Sequence, residues 1–180
     1  MKFSGDFEID ELSMDDTWLV LTDPVALRRS IPGCQFLVAV EGDEVDFDSL
    51  DPDMDDTEPI WPEADRDAVE SRQIQTGQTL AALMKVGIGP MKPEFEVKVN
   101  IDQAEFPQVQ ASGTGSGGGS EFHLDSEMNL DENDGTTIVR WEAQTDISGK
   151  IAQFGQRMLQ PVANKLTNQF FSSILSQIQD

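Results

Sequence analysis

The sequence predicts an α+β fold built on an antiparallel sheet, and three observations carry that prediction. Apolar and polar residues alternate in "KFSGDFEI", "EFEVKVNI", "EFHLDSEMNL" and "TTIVRWEAQTDI", the period of strands with one wet face. No helical pattern separates the later strands, which excludes a doubly wound parallel sheet. The chain then closes on Ile151 to Gln179, 29 residues with apolar positions at helical spacing and not one Asp or Glu.

The elements follow in order. Phe3, Phe7 and Ile9 share one face of a first strand. Ser13, with Asp16 three residues on, caps a short helix through the apolar run Trp18 to Leu21. A second short helix starts at Asp23 with Pro24 in its first turn, and Pro32-Gly33 stops it. Alternation returns through Phe36, Val38 and Val40.

From Glu41 to Glu70, fourteen acids stand against the single base Arg66, with only Ile60 and Trp61 as anchors. The stretch of about 46–75 therefore reads as a flexible acidic insertion in a single domain spanning 1–180, with too little apolar area to offset the entropy of ordering it. Order resumes near Thr79 with the strand "LMKVGIGP". The next strands turn Phe95, Val97, Val99 and Ile101, then Phe122, Leu124, Met128 and Leu130, to one side. The turn Asn133-Asp134-Gly135 leads to a last strand with Val139, Trp141, Ala143 and Ile147 inward.

In the terminal segment the stripe runs through Ile151, Met158, Val162, Leu166, Phe170, Ile174 and Ile178, widened by Phe154, Leu159, Phe171 and Leu175. Two readings stand side by side. One is a core helix with a neutral polar back. The other is a docking strip, since Gln156, Gln160 and Asn164 meet a partner without the desolvation cost of a carboxylate, and Arg157 and Lys165 are the only charges.

Composition narrows the classes of function. A formal charge of −22, with 34 acids and 12 bases, repels nucleic acid, which requires clustered Lys and Arg. The same excess, with only six lysines, fits a surface adapted to high salt. A lone cysteine, Cys34, forms no internal disulfide and suits a reducing, cytoplasmic setting. The first residues do not resemble a signal peptide, and no apolar run reaches the ~18 residues of a membrane span.

No motif assigns catalysis, a metal or a cofactor. "GTGSGG" matches a dinucleotide-binding loop only formally, because a strand rather than a helix follows it, and it reads as a flexible hairpin connection. Cys34 and His123 lack a third member for nucleophilic catalysis. "DPDMDDTE" lacks the Gly and the closing Glu of a calcium loop.

The pieces "KFSGDFEI", "LTDPVALRRSIPGC", "KVGIGPMKPEFEVKV", "SGTGSGGGSEF" and "SGKIAQFGQRMLQPVANKLTNQFF" closely resemble the carbon monoxide dehydrogenase G-subunit family of the START-like (SRPBCC) superfamily. The chain looks like an acidic, haloarchaeal-type member. The resemblance implies a helix-grip fold, a curved antiparallel sheet wrapped around the long C-terminal helix, with two short helices after the first strand and an apolar cavity between. The strand and helix faces place Phe95, Val97, Phe122, Leu124, Trp141, Phe154, Met158 and Val162 around that cavity. The family further implies a non-enzymatic accessory protein of a molybdenum hydroxylase, binding a quinone or lipid and assisting recruitment to the membrane or a partner. No catalytic residue carries over. Gln156, Arg157, Gln160, Asn164 and Lys165 are the contact residues for a partner or for the inner face of the membrane. That contact is transient, because two basic residues contribute only about 1 kcal/mol each and the extended tail of longer members does not follow the helix. The competing functions are a START-like enzyme of cyclase or hydrolase type and a structural partner with a filled core.

One outcome follows from the charge alone. The thermal unfolding midpoint should rise from dilute buffer to molar potassium chloride, as screening relieves carboxylate repulsion, and a flat or falling midpoint would remove the salt-adapted reading.

Overall fold

The computed structural model describes residues 1–42, 44–50 and 57–179. Among these residues, seven antiparallel strands form one sheet in the order β1-β7-β6-β5-β4-β3-β2. The strands are β1 (Lys2–Ile9), β2 (Cys34–Val40), β3 (Thr79–Lys85), β4 (Glu94–Glu105), β5 (Gln108–Gly117), β6 (Ser120–Asn133) and β7 (Thr136–Gly149). Helices α1 (Met14–Leu21) and α2 (Pro24–Ser30) follow β1, α3 (Arg66–Arg72) precedes β3, and α4 (Gly155–Gln179) crosses the concave side. The sequence expectation of an α+β helix-grip architecture holds.

Local chemistry accounts for the small helices. Ser13 Oγ accepts from the Asp16 N–H, and Asp23 Oδ1 accepts from the Val25 N–H, with Pro24 at the start of α2. Between β6 and β7, Asp134 (φ 52°) and Gly135 (φ 83°) hold the tight turn that right-twisted strands favour. Where β1, α1, α2 and α4 meet, Ile9, Val20, Val139, Phe171 and Ile174 form the main core. Phe7 stacks on Phe171 there with centroids 4.3 Å apart.

Three expectations require correction. The glycine tract is not a flexible connection: Gly113 to Gly117 lie within β5, paired with β6 from Gly113↔Leu124 to Gly117↔Ser120. A Cβ at Gly115 would overlap the Phe122 ring, and one at Gly117 would overlap the Glu94 carbonyl, so glycine here is a packing requirement. In β2, Leu37 joins the concave-side packing, while Phe36, Val38 and Val40 pair with Leu83, Ala81 and Thr79 on the convex side. The alternation expected through Phe36, Val38 and Val40 thus marks the outer face, and the apolar Leu37 between them turns inward.

The acidic stretch is the third. Of 46–75, residues 51–56 lie outside the described residues, together with most of "DPDMDDTE". Beyond them the chain is packed: Ile60, Ala64, Val69 and Ile74 are buried, and Ile60 belongs to the main core. Arg72 makes a double contact with the fully buried Asp23, Nε to Oδ1 at 2.8 Å and Nη2 to Oδ2 at 2.7 Å. Gln73 donates to Thr22 Oγ1, and the Ile74 N–H donates to the Thr22 carbonyl. The apolar residues are few, Val69 on α3 and Ile60, Ala64 and Ile74 on the segments flanking it, yet each is turned inward, which a count of charges conceals.

Replacing Arg72 with Ala leaves a carboxylate buried without its counter-charge. Denaturant unfolding should show a loss of about 3 kcal/mol, and deletion of 57–75 should abolish the cooperative transition.

Candidate functional site

The concave face is built from cross-strand rows. Direct pairing aligns Val97, Gly115, Phe122 and Ile147 in one row, and Val99, Gly113, Leu124 and Thr145 in the next. Ile101, Ala111, Ser126 and Ala143 form a third. No charged side chain stands in any of them. Phe95 meets Phe122 edge to face, with centroids 5.6 Å apart. Opposite, Ile151 and Leu159 are buried, and Phe154 and Val162 pack into the same cluster as Phe3 and Phe95.

Of the eight predicted lining residues, Phe95, Val97, Phe122, Trp141, Phe154 and Val162 come together in this cluster. Leu124 faces the same side. Met158 does not, being 58% exposed on the far side of α4. The seven-residue step from Ile151 to Met158 assumes one continuous α-helix. Instead a 3-10 turn spans Lys150–Phe154, and Gly155 (φ 67°) resets the phase, so that Leu159 turns inward.

Burial at these positions is incomplete. Phe95 is buried, but Val97, Phe122, Leu124, Trp141, Phe154 and Val162 are only half-buried. The concave face is therefore an apolar surface still partly open to solvent. Thr145 Oγ1 is buried there with no hydrogen-bond partner among the described residues.

The outer face of α4 presents the predicted contact residues. Gln156, Arg157, Asn164 and Lys165 are exposed, and half-buried Gln160 donates to Asn164 Oδ1 at 3.0 Å. Gln156 Nε2 donates to the Lys2 carbonyl, fixing the start of α4 to β1. Met158, exposed beside them, adds an apolar element to this strip. Near the end of α4, Gln177 Nε2 donates to Ser30 Oγ on α2 at 2.6 Å. No helix among the described residues is long and apolar enough to cross a membrane.

A groove of about 670 Å³ lies on the convex side. Val45 and Phe47 wall it, over Glu96, Lys98, Thr114, His123 and Asp146. It is open and its lining is mixed, with Phe122 and Ile147 beside the charged groups, whereas the concave rows carry no charged side chain. His123 sits on this convex side, 3.4 Å from Asp125, whereas Cys34 lies on β2, four strands away in the sheet. Burial raises the Cys34 thiol to about 11, with Arg28 opposing in part, so it remains protonated at neutral pH. The two do not form a nucleophile and base.

Solved structures share this architecture. A conserved protein from Geobacillus kaustophilus superposes with a TM-score of 0.73 at 22% identity, covering 99% of this chain and 95% of that one. A START superfamily protein from Mycobacterium smegmatis gives 0.59 at 10% identity, covering 99% and 97%. The Zhui aromatase/cyclase from Streptomyces sp. R1128 gives 0.57 at 10% identity, covering 98% and 92%. At these identities the likeness establishes the fold alone. No curated protein matches the chain. The family model for the carbon monoxide dehydrogenase G subunit (CoxG) matches residues 69–179, which take in every strand from β3 to β7 and the whole of α4. More than half of the sequence thus carries the family's pattern, and the chain belongs to the CoxG family.

Proposed function

We propose that this protein is a non-enzymatic accessory factor that holds an apolar, chain-like molecule, a quinone or a lipid, between the sheet and α4. The observation that carries the reading is the concave face: three successive rows without a charged side chain, left half-open rather than filled. A filled-core structural role accounts poorly for that exposure. An enzyme of cyclase or hydrolase type needs convergent polar groups in its pocket, and these rows offer hydroxyls at Ser126 and Thr145 but no acid or base. The Ser126 hydroxyl already donates to the Ala111 carbonyl.

The whole chain acts as one domain. The acid-free face of α4 supports transient delivery to a molybdenum hydroxylase of the carbon monoxide dehydrogenase type, or to the cytoplasmic face of the membrane. Gln156, Arg157, Gln160, Asn164 and Lys165 make that contact, joined by Met158. The dense carboxylates elsewhere keep the remaining surface hydrated at high salt.

Trp141 lies on the concave face and reports occupancy. Titration with a short-chain ubiquinone and, separately, with a fluorescent fatty acid should give saturable quenching of its emission. Leu124→Arg, which places a charge in the middle row, should weaken binding at least ~tenfold. Thr145→Val should affect only a ligand whose oxygen reaches that hydroxyl. Absence of quenching, with no extractable ligand by native mass spectrometry of protein from its own host, would overturn the binding role. The recruitment arm is separate: Gln156, Gln160 and Asn164 replaced together by Glu should abolish co-sedimentation with anionic vesicles or with the hydroxylase, and unchanged binding to both would place the surface elsewhere.

A further inference from the structure

β2 ends the sheet. It pairs with β3 on one side, and among the described residues no strand pairs with its other edge. Its sequence, CQFLVAV, has no charge and six apolar residues of seven, yet none of the seven is buried. Uncharged apolar edges with unpaired backbone groups template association, and soluble proteins ordinarily guard them with Lys, Pro or a bulge. Within this strand the only such device is the irregularity between Cys34 and Phe36, at its very start. In a chain carrying 34 acids, an unguarded edge of this composition stands out from the rest of the surface.

We propose that β2 is a self-association edge: it pairs antiparallel with β2 of a second copy about a two-fold axis, joining the two seven-stranded sheets. Charge placement selects this occupant and this direction. Arg28 and Arg29 occupy the last turn of α2, and Arg28 lies close enough to Cys34 to act on its thiol. The other end of the strand runs into exposed Glu41, Glu44 and Asp46. Antiparallel pairing sets the arginine end of each copy beside the acidic end of the other, whereas parallel pairing would set acid against acid. The edge is thus complementary to itself in charge and in hydrogen bonding, and the contact closes as an isologous dimer. On the convex side it also brings together the half-exposed Phe36 and Val38 of both copies. Two chains of charge −22 repel at long range, and screening shortens that range from about 10 Å at 0.1 M salt to about 3 Å at 1 M. The dimer therefore tightens as salt rises.

Sedimentation velocity of the full chain across concentration, at 0.1 M and 2 M potassium chloride, tests this. The expected result is a monomer–dimer equilibrium with the dimer favoured at least ~tenfold by the higher salt. Val38→Lys puts a charge in the centre of the edge on the convex side, where its methylene stem still covers Ala81. It should leave the melting transition unchanged and the protein monomeric throughout. Should that variant not fold, Ala39→Lys, at an exposed position, serves the same purpose. Arg28→Glu should weaken the dimer, and adding Glu41→Arg should restore it. A wild-type chain that stays monomeric at 2 M salt and hundreds of micromolar overturns the proposal. So does a dimer that survives the folded lysine variant, or a charge swap that fails to rescue.

Discussion

One geometric constraint governs the molecule: a single helix is too narrow to cover the sheet assigned to it. Seven strands at about 4.8 Å spacing span roughly 29 Å, while an α-helix with its side chains is about 10 Å across. The sheet must curl to meet α4, and even then contact is complete only where other elements assist. At the β1 end, α1, α2 and Ile60 complete the core around Phe171 and Ile174. Towards the centre the helix covers the rows through Phe122 and Leu124 only in part, and at the far edge β2 lies beyond it. The open apolar face results from this mismatch in width.

Much of this is legible in the sequence because strands wet on one face announce themselves by period two. The faces of β1, β4, β6 and β7 follow from alternation alone, and Ser13 and Asp23 mark the starts of both small helices through the side-chain oxygens that cap them. Where sequence reasoning fails, a non-local fact decides. Nothing near Gly115 says that a phenylalanine from the next strand will occupy the space of its absent side chain, so the tract reads as a loop. A single glycine with positive φ, Gly155, shifts the phase of the terminal stripe and turns Met158 outward, which no helical wheel drawn through the segment reveals. In β2 both faces are apolar, so alternation does not choose between them, and only pairing with β3 does.

Charge is distributed by the same logic. Carboxylates line the wet faces of the strands, as Glu121, Asp125 and Asp146 do, and the one buried carboxylate among the described residues, Asp23, is held by a cap contact and by Arg72. The terminal helix excludes acid on both faces for different reasons: its inner side packs on the sheet, and its outer side carries amides and two cations. An acid-rich surface with one acid-free strip has a built-in orientation towards anything that avoids negative charge.

The grip of residues 72–74 on Thr22 and Asp23 has a meaning beyond stability. It closes residues 24–71 into a loop whose two ends meet at one point, with β2 inside that loop and paired to β3. Lengthening such a loop is cheap, roughly 0.6 kcal/mol for each doubling. A lineage can therefore lengthen, shorten or recharge the stretch upstream of Thr57 while the strands on either side stay in register. The length and charge of that stretch can change at little cost to the packing of Ile60, Val69 and Ile74.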